Sequence, residues 1–267
     1  MIKYIDATQY IRHSFLTLAG LSLMLFAACS GGGGGTSNQD AGGIYTGTGT
    51  LGGTGYSDLK GIIHNNKLMI FSVNAQVLYD GTVTSITGDS FTASVNVYDN
   101  GALDSQSPVT LTGKVMSESH FNGTFANSGT GKASGSFDLT YNAAYKNKTA
   151  TFNRIDTDAN GILTGTLYGS QNQASTFLFR TAIQFGFGND LTTCGTSDVP
   201  VTYSSQVNVY LLSTSFTITD SGGPVCSYSG TSGLTGMATL VNGSGTDNEL
   251  WIAFSNGSAA FFSVATR

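Results

Sequence analysis

The stretch Phe91–Tyr98, FTASVNVY, carries the period that assigns the architecture: Phe91, Ala93, Val95 and Val97 alternate with Thr92, Ser94, Asn96 and Tyr98. A period of two sends successive side chains to opposite faces, which makes a strand with one dry and one wet side. The pattern recurs on both flanks. Val109, Leu111 and Val115 alternate with Thr110, Thr112 and Lys114, and Phe137, Leu139 and Tyr141 with Ser136, Asp138 and Thr140. Further along come Val207, Val209 and Leu211, then Leu250, Ile252 and Phe254. Asp80-Gly81, Asn100-Gly101, Asn160-Gly161, Asn242-Gly243 and Asn256-Gly257 punctuate these runs, and such pairs accept the positive φ of tight hairpins. Short links imply antiparallel neighbours. After the first thirty residues no run of eleven or more has the apolar spacing of a helix, and β-branched and aromatic residues fill the candidate strands. The fold class expected is all-β: an antiparallel meander forming one or two small β-barrels or sandwiches.

Composition agrees. Of 267 residues, 36 are Gly and only 10% are charged, against about 7% Gly and roughly 25% charged in ordinary soluble domains. A formal net charge of -5 leaves no basic face for nucleic acid. Hydrophobic residues at 40% are too many for a disordered chain.

Strand candidates divide the chain. Eight fall near 44–50, 59–64, 67–73, 76–85, 90–98, 108–117, 120–126 and 132–141, enough to close a small barrel. Others fall near 150–156, 161–168, 174–185, 200–212, 214–219, 225–230, 233–241, 248–254 and 258–265. The break is Asn142–Lys148, NAAYKNK, where polar and basic content rises. Ile44–Thr48 (IYTGT) resembles Ile162–Thr166 (ILTGT), with a weaker echo at Gly233–Gly236 (GLTG), which hints at duplication. Gly113, Gly123 and Gly135 are either bend points in a curved wall or slack composition in exposed strands.

The first thirty residues give an address. Lys3, Arg12 and His13 precede an uncharged apolar run, Ser14–Phe26, of signal-peptide length and too short to span a bilayer comfortably. It ends in Phe26-Ala27-Ala28-Cys29-Ser30, which resembles the lipobox of bacterial lipoproteins, with Phe26 where Leu is usual. The resemblance implies cleavage before Cys29, diacylglycerol on its thiol and acylation of the new amino terminus. Each buried methylene contributes roughly 0.8 kcal/mol to membrane affinity. Ser30 in place of Asp resembles the form sorted to the outer membrane. Gly31–Gly35 and Thr36–Asp40 contain no apolar residue and read as a flexible tether. The expected organisation is therefore a lipoprotein signal over 1–28, a lipidated Cys29 with linker over 29–42, and β units over 43–145 and 146–267. Lipobox, glycine tether and short Gly-punctuated strands together resemble the surface lipoprotein barrels of Gram-negative bacteria, among them transferrin-binding and factor-H-binding types. Locally, Val225–Gly230 followed by Gly233–Leu240 resembles the closing hairpins of small lipoproteins of this kind.

With Cys29 acylated, Cys194 and Cys226 remain, and an oxidising periplasm would pair them. The closed loop of roughly thirty residues would stabilise by about 3 kcal/mol on the chain-entropy model. A shared metal is disfavoured because His64 and His120 lie far off in sequence. Two reactive thiols are disfavoured because no Lys, Arg or His lies within ten residues of either.

Catalytic signals are sparse. Glu118-Ser119-His120 crowds a carboxylate, a hydroxyl and an imidazole. On a strand Ser119 would point away from the other two, so the group cannot form a local triad, and a turn with an exposed His accounts for it. Asp156, Asp158 and Asn160 match the first half of a calcium loop, but Leu167 stands where the bidentate Glu belongs and the flanks read as strands. A hairpin turn explains that spacing equally. No nucleophile elbow, P-loop or dinucleotide fingerprint sits in its strand-turn-helix setting. No enzyme activity, cofactor or metal is expected. The expected function is a non-enzymatic, outer-membrane-anchored module that binds a protein or small molecule; the alternative is a structural, inhibitor or immunity-type envelope lipoprotein. A cavity of several hundred Å3 would point to a small ligand, and a filled core to protein contacts through the loops.

Overall fold

The computed structural model describes residues 37–125, 131–150, 162–179, 183–187, 194–220, 228–242 and 247–267. It is almost entirely antiparallel β. The first sheet uses β1 (Gly43–Leu51), β2 (Thr54–His64), β3 (Lys67–Ser72), β4 (Val77–Thr87), β5 (Ser90–Asp99), β6 (Ala102–Leu103), β7 (Val109–Met116), β8 (His120–Phe125) and β9 (Gly135–Asn142). Its order, β4-β3-β2-β1-β9-β8-β7-β5, is closed by the β4–β5 pairing into an eight-stranded barrel, with β6 as a short extension on β5. Each of the eight strands expected before residue 142 is present. Alternate positions of each strand supply the barrel interior, including Tyr45, Leu68, Ile70, Tyr79, Phe91, Phe121 and Phe137. The rings of Phe91 and Phe137 stack on Phe121 at 4.2 and 5.6 Å, so side chains fill the lumen rather than leave it hollow.

The second sheet uses β10 (Ile162–Leu167), β11 (Gln173–Phe179), β12 (Ile183–Phe187), β13 (Cys194–Val199), β14 (Thr202–Tyr203), β15 (Tyr210–Phe216), β16 (Thr219–Asp220), β17 (Leu234–Asn242), β18 (Asp247–Ser255) and β19 (Ala260–Thr266). Its order is β14-β15-β17-β18-β19-β10-β11-β12-β13-β16. The path repeats that of the barrel: β1 pairs with β2 and with the last barrel strand β9, and β10 pairs with β11 and with the last strand β19. The two similar pentapeptides therefore occupy equivalent places. A Cβ on Gly47 would stand 2.0 Å from the Asp138 carbonyl, and one on Gly165 would stand 2.8 Å from that of Val264. Both glycines let the first strand press against the last. Gly113 serves the same close approach between strands, since a Cβ there would lie 2.0 Å from the Asn122 carbonyl of β8.

Several details depart from the sequence reading. Asp80-Gly81 is no hairpin: it lies inside β4, with Gly81 opposite Val95 of β5 and Leu68 of β3. Glycine is required there because a Cβ would meet the Ser94 carbonyl at 2.0 Å, not because the chain turns. The continuous strand expected over 200–212 divides into β14 and β15 around the loop 204–209, and β13 was not anticipated. The tether also ends sooner than expected. Gln39 donates its backbone N–H to the Gly88 carbonyl at 2.9 Å, and Asn38 Oδ1 accepts from Gly88 at 2.9 Å. Asp40 donates its N–H to Ser117 Oγ at 2.6 Å. Polar side chains that make the segment look like a linker serve to dock it on the barrel turns.

Asn38–Arg267 packs as one unit, and a third core explains how. The outer face of β2–β5 (Ile62, Met69, Phe71, Leu78, Tyr98) meets the outer face of β17–β19 (Met237, Trp251, Ala253, Phe262). Tyr98, expected on a wet face, is fully buried for this reason. Phe262 lies between Phe71 and Tyr168, with centroids 5.4 and 5.5 Å away. Lys60 Nζ sits 4.4 Å over the Trp251 ring and 3.3 Å from Glu249. Ser255 Oγ donates to Asp80, whose other oxygen is 2.9 Å from Lys67 Nζ. The barrel face away from this contact, with Thr112, Lys114, Asn122, Thr124, Asp138 and Thr140, is polar, unlike the apolar outer band of a membrane-spanning barrel.

Candidate functional site

Among the described residues, a cleft of about 540 Å3 with a chemically diverse lining forms where the docked segment Asp40–Gly42, the β2–β3 turn, a one-turn helix α1 (Ala144–Asn147) and the loop 204–207 converge. Each wall has a local cause. Asn65 and Asn66 form the two-residue turn between His64 and Lys67, at φ 50° and 64°, values that Asn tolerates and most residues do not. Asn142 Oδ1 accepts the Ala144 N–H at 2.9 Å and starts α1. Asn208 then donates its N–H to the Tyr145 carbonyl at 2.9 Å, tying α1 to the second sheet. The side chain of Asn208 is fully buried and donates to the Leu240 carbonyl at 2.5 Å, while the backbone carbonyl of Asn208 accepts from Thr239 Oγ1 at 2.6 Å. The loop is therefore braced from beneath.

His64 Nδ1 and the Tyr145 hydroxyl share a hydrogen bond of 3.0 Å. Burial lowers the imidazole pKa against a weaker opposing pull from Asp40, so the ring is held neutral near pH 7. Burial likewise raises the Tyr145 phenol, helped by Asp40 and Tyr141, so it stays protonated. Lys146 is committed to Glu118 at 2.5 Å, which raises its pKa. A neutral imidazole, a protonated phenol and amide side chains can exchange hydrogen bonds with a ligand. They do not assemble a nucleophile with its base. A second, more open depression of about 420 Å3 on the barrel wall is lined by Thr48, Thr50, Tyr56, Ser57, Ser136 and Asp138.

The residues singled out from sequence fall elsewhere or outside the described residues. Glu118 and Ser119 lie in the β7–β8 turn, with Glu118 at φ 56°. His120 opens β8, with Nδ1 3.8 Å from Asp138. The expected turn is there and the three residues form no triad. Cys29, Cys226, Asp156, Asp158 and Asn160 lie outside the described residues. Cys194 is described only through its backbone, which pairs with Asp220. Among the described residues no three His, Cys, Asp or Glu side chains cluster as a metal site. Asp40, Asn65, Asn66, Tyr145 and Gln206 escape sequence reasoning because they come from four distant segments. The Asn-Asn pair between the apolar runs ending at Ile63 and beginning at Leu68 was the one available signal.

No protein-family model and no curated protein matches the chain. Among solved structures, it is similar to the crystal structure of a protein of unknown function from the DUF3598 family of Nostoc punctiforme. That likeness has 10% sequence identity and a TM-score of 0.28, and covers 85% of this chain and 96% of the other.

Proposed function

We propose that this chain is an exported lipoprotein, acylated at Cys29 and held at the outer membrane, whose β body is a non-enzymatic binding module with the Asp40–Tyr145 cleft as its ligand site. The observation that carries the reading is the contrast between the two interiors. The barrel lumen is packed with aromatic rings, whereas the cleft between the sheets is open and lined by hydrogen-bonding side chains. Its volume falls within the roughly 300–1,000 Å3 of small-molecule sites. The basic start, apolar run and Ala27-Ala28-Cys29 of the sequence support export and anchoring. A Cys194–Cys226 disulfide belongs to the same reading, because an exported body is oxidised.

Two measurements test it. Cell fractionation should place the full chain with membranes and release the Cys29→Ala variant to the soluble fraction. A thermal-shift screen of the full chain against envelope sugars, lipids, amino acids and nucleotides should return at least one saturable ligand, with no turnover of it. Hydrolysis of a screened compound, or no shift with any of them, would contradict the binding role.

A further inference from the structure

We propose that the cleft takes a neutral carbohydrate one or two pyranose rings long, an inference that rests on the binding-module reading and narrows it to a ligand class. Charge is the first argument. The charged side chains on the cleft wall are Asp40 and Lys146, and the ammonium of Lys146 is engaged by Glu118 at 2.5 Å. An anionic ligand would thus meet a carboxylate and no uncommitted cation among the described lining residues, and an unpaired buried charge is costly. Hydrocarbon is disfavoured by the wall itself, where polar side chains outnumber Ala41, Ile63 and Val207.

The hydrogen-bonding inventory is the second argument. The side-chain amides of Asn65, Asn66 and Gln206 line the cleft and bond to no other described residue. Each supplies two donors and one acceptor oxygen. A sugar hydroxyl donates one bond and accepts others, so vicinal hydroxyls match paired amides and the Asp40 carboxylate, whereas an acid or an alkyl chain matches only part of that set. Val207, half-buried on its loop, provides a small apolar contact suited to the C–H face of a pyranose ring. Placement is the third argument. The amides of Asn65 and Asn66 stand on a two-residue turn, and Gln206 on a loop whose Val207 N–H is held by Ser204 Oγ at 3.3 Å. These walls are set before a ligand arrives, which reduces the ordering cost of binding.

The test is isothermal titration of the full chain in a sugar-free zwitterionic detergent. The neutral probes are maltose, cellobiose and N,N′-diacetylchitobiose; the contrasting probes are inorganic phosphate, citrate and myristate. At least one neutral disaccharide should bind saturably. Asn66→Gly keeps the positive φ of the turn and removes only the amide, and Gln206→Ala trims an exposed loop; each should weaken that binding at least tenfold. Thr112→Ala, on the barrel face away from the cleft, should leave it unchanged, and matching circular dichroism spectra would establish that all variants fold. Phosphate, citrate or myristate binding that the cleft substitutions abolish, with silent sugars, would overturn the carbohydrate assignment while leaving a binding module in place. Sugar binding indifferent to both substitutions would overturn the site, and silence from all six probes would overturn the assignment outright.

Discussion

Replacing Phe262 by Ala would test whether the two sheets unfold as one body. Phe262 is fully buried on the face of β19 that meets the barrel, with Phe71 of β3 at 5.4 Å and Tyr168 at 5.5 Å. Truncating a buried Phe to Ala costs roughly 3–5 kcal/mol, because the lost transfer energy adds to an unfilled cavity. Each aromatic pair accounts for about 0.5–1.5 kcal/mol beyond its area. Against a total stability of about 5–15 kcal/mol, that is a large fraction. The assay is built into the chain, since the single Trp is Trp251, 2% exposed in the same inter-sheet core. Denaturant unfolding followed by Trp251 emission and by far-ultraviolet circular dichroism should give superimposable transitions, both shifted by the same 3–5 kcal/mol. Phe121→Ala, deep in the barrel and away from Trp251, should shift the Trp251 transition equally. Separate transitions, with Phe262→Ala moving only the emission and Phe121→Ala only part of the dichroism, would refute a shared core.

Gly81→Ala should destabilise by about 1–3 kcal/mol or more, since the added methyl would lie 2.0 Å from the Ser94 carbonyl and neither atom belongs to a flexible side chain; chemical denaturation reads the loss. Because burial lowers the folded-state pKa of His64, the unfolded chain takes up a proton first. The stability that neutral His64 maintains is full above its ordinary pKa of about 6.5 and is lost as pH falls through the folded value; His64→Gln should flatten that limb of a stability–pH curve. Reductant should lower the unfolding free energy by about 3 kcal/mol in the parent chain and leave Cys226→Ser unaffected. Lys60→Ala should red-shift and weaken any quenching of Trp251 emission, because the ammonium now covers the ring at 4.4 Å; an unchanged spectrum would count against that contact.

The barrel was readable because its inward residues are apolar and its polar wall is wet, so the period of two survives from Val109 to Tyr141. Where both faces of a strand are buried, alternation disappears. Leu68-Met69-Ile70-Phe71 of β3 is apolar throughout and fully buried, and Trp251 and Ala253 fill the positions between Leu250, Ile252 and Phe254 for the same reason. Those unbroken runs held the evidence for sheet-on-sheet packing, although a single chain does not state which runs meet. Asp80-Gly81 misled because the local chemistry of a turn and the need for close strand approach select the same residue. The cleft was hidden for a different reason: its donors lie on segments as far apart as Asp40 and Gln206, and only the folding of the second sheet against the barrel brings them together.

Mass spectrometry of the amino-terminal peptide from protein purified out of its native envelope bears on the proposed anchored state without intermediaries. The account predicts a chain beginning at Cys29, its sulfur carrying diacylglycerol and its amine acylated. A chain beginning at Met1, or a Cys29 with an unmodified thiol, would contradict it.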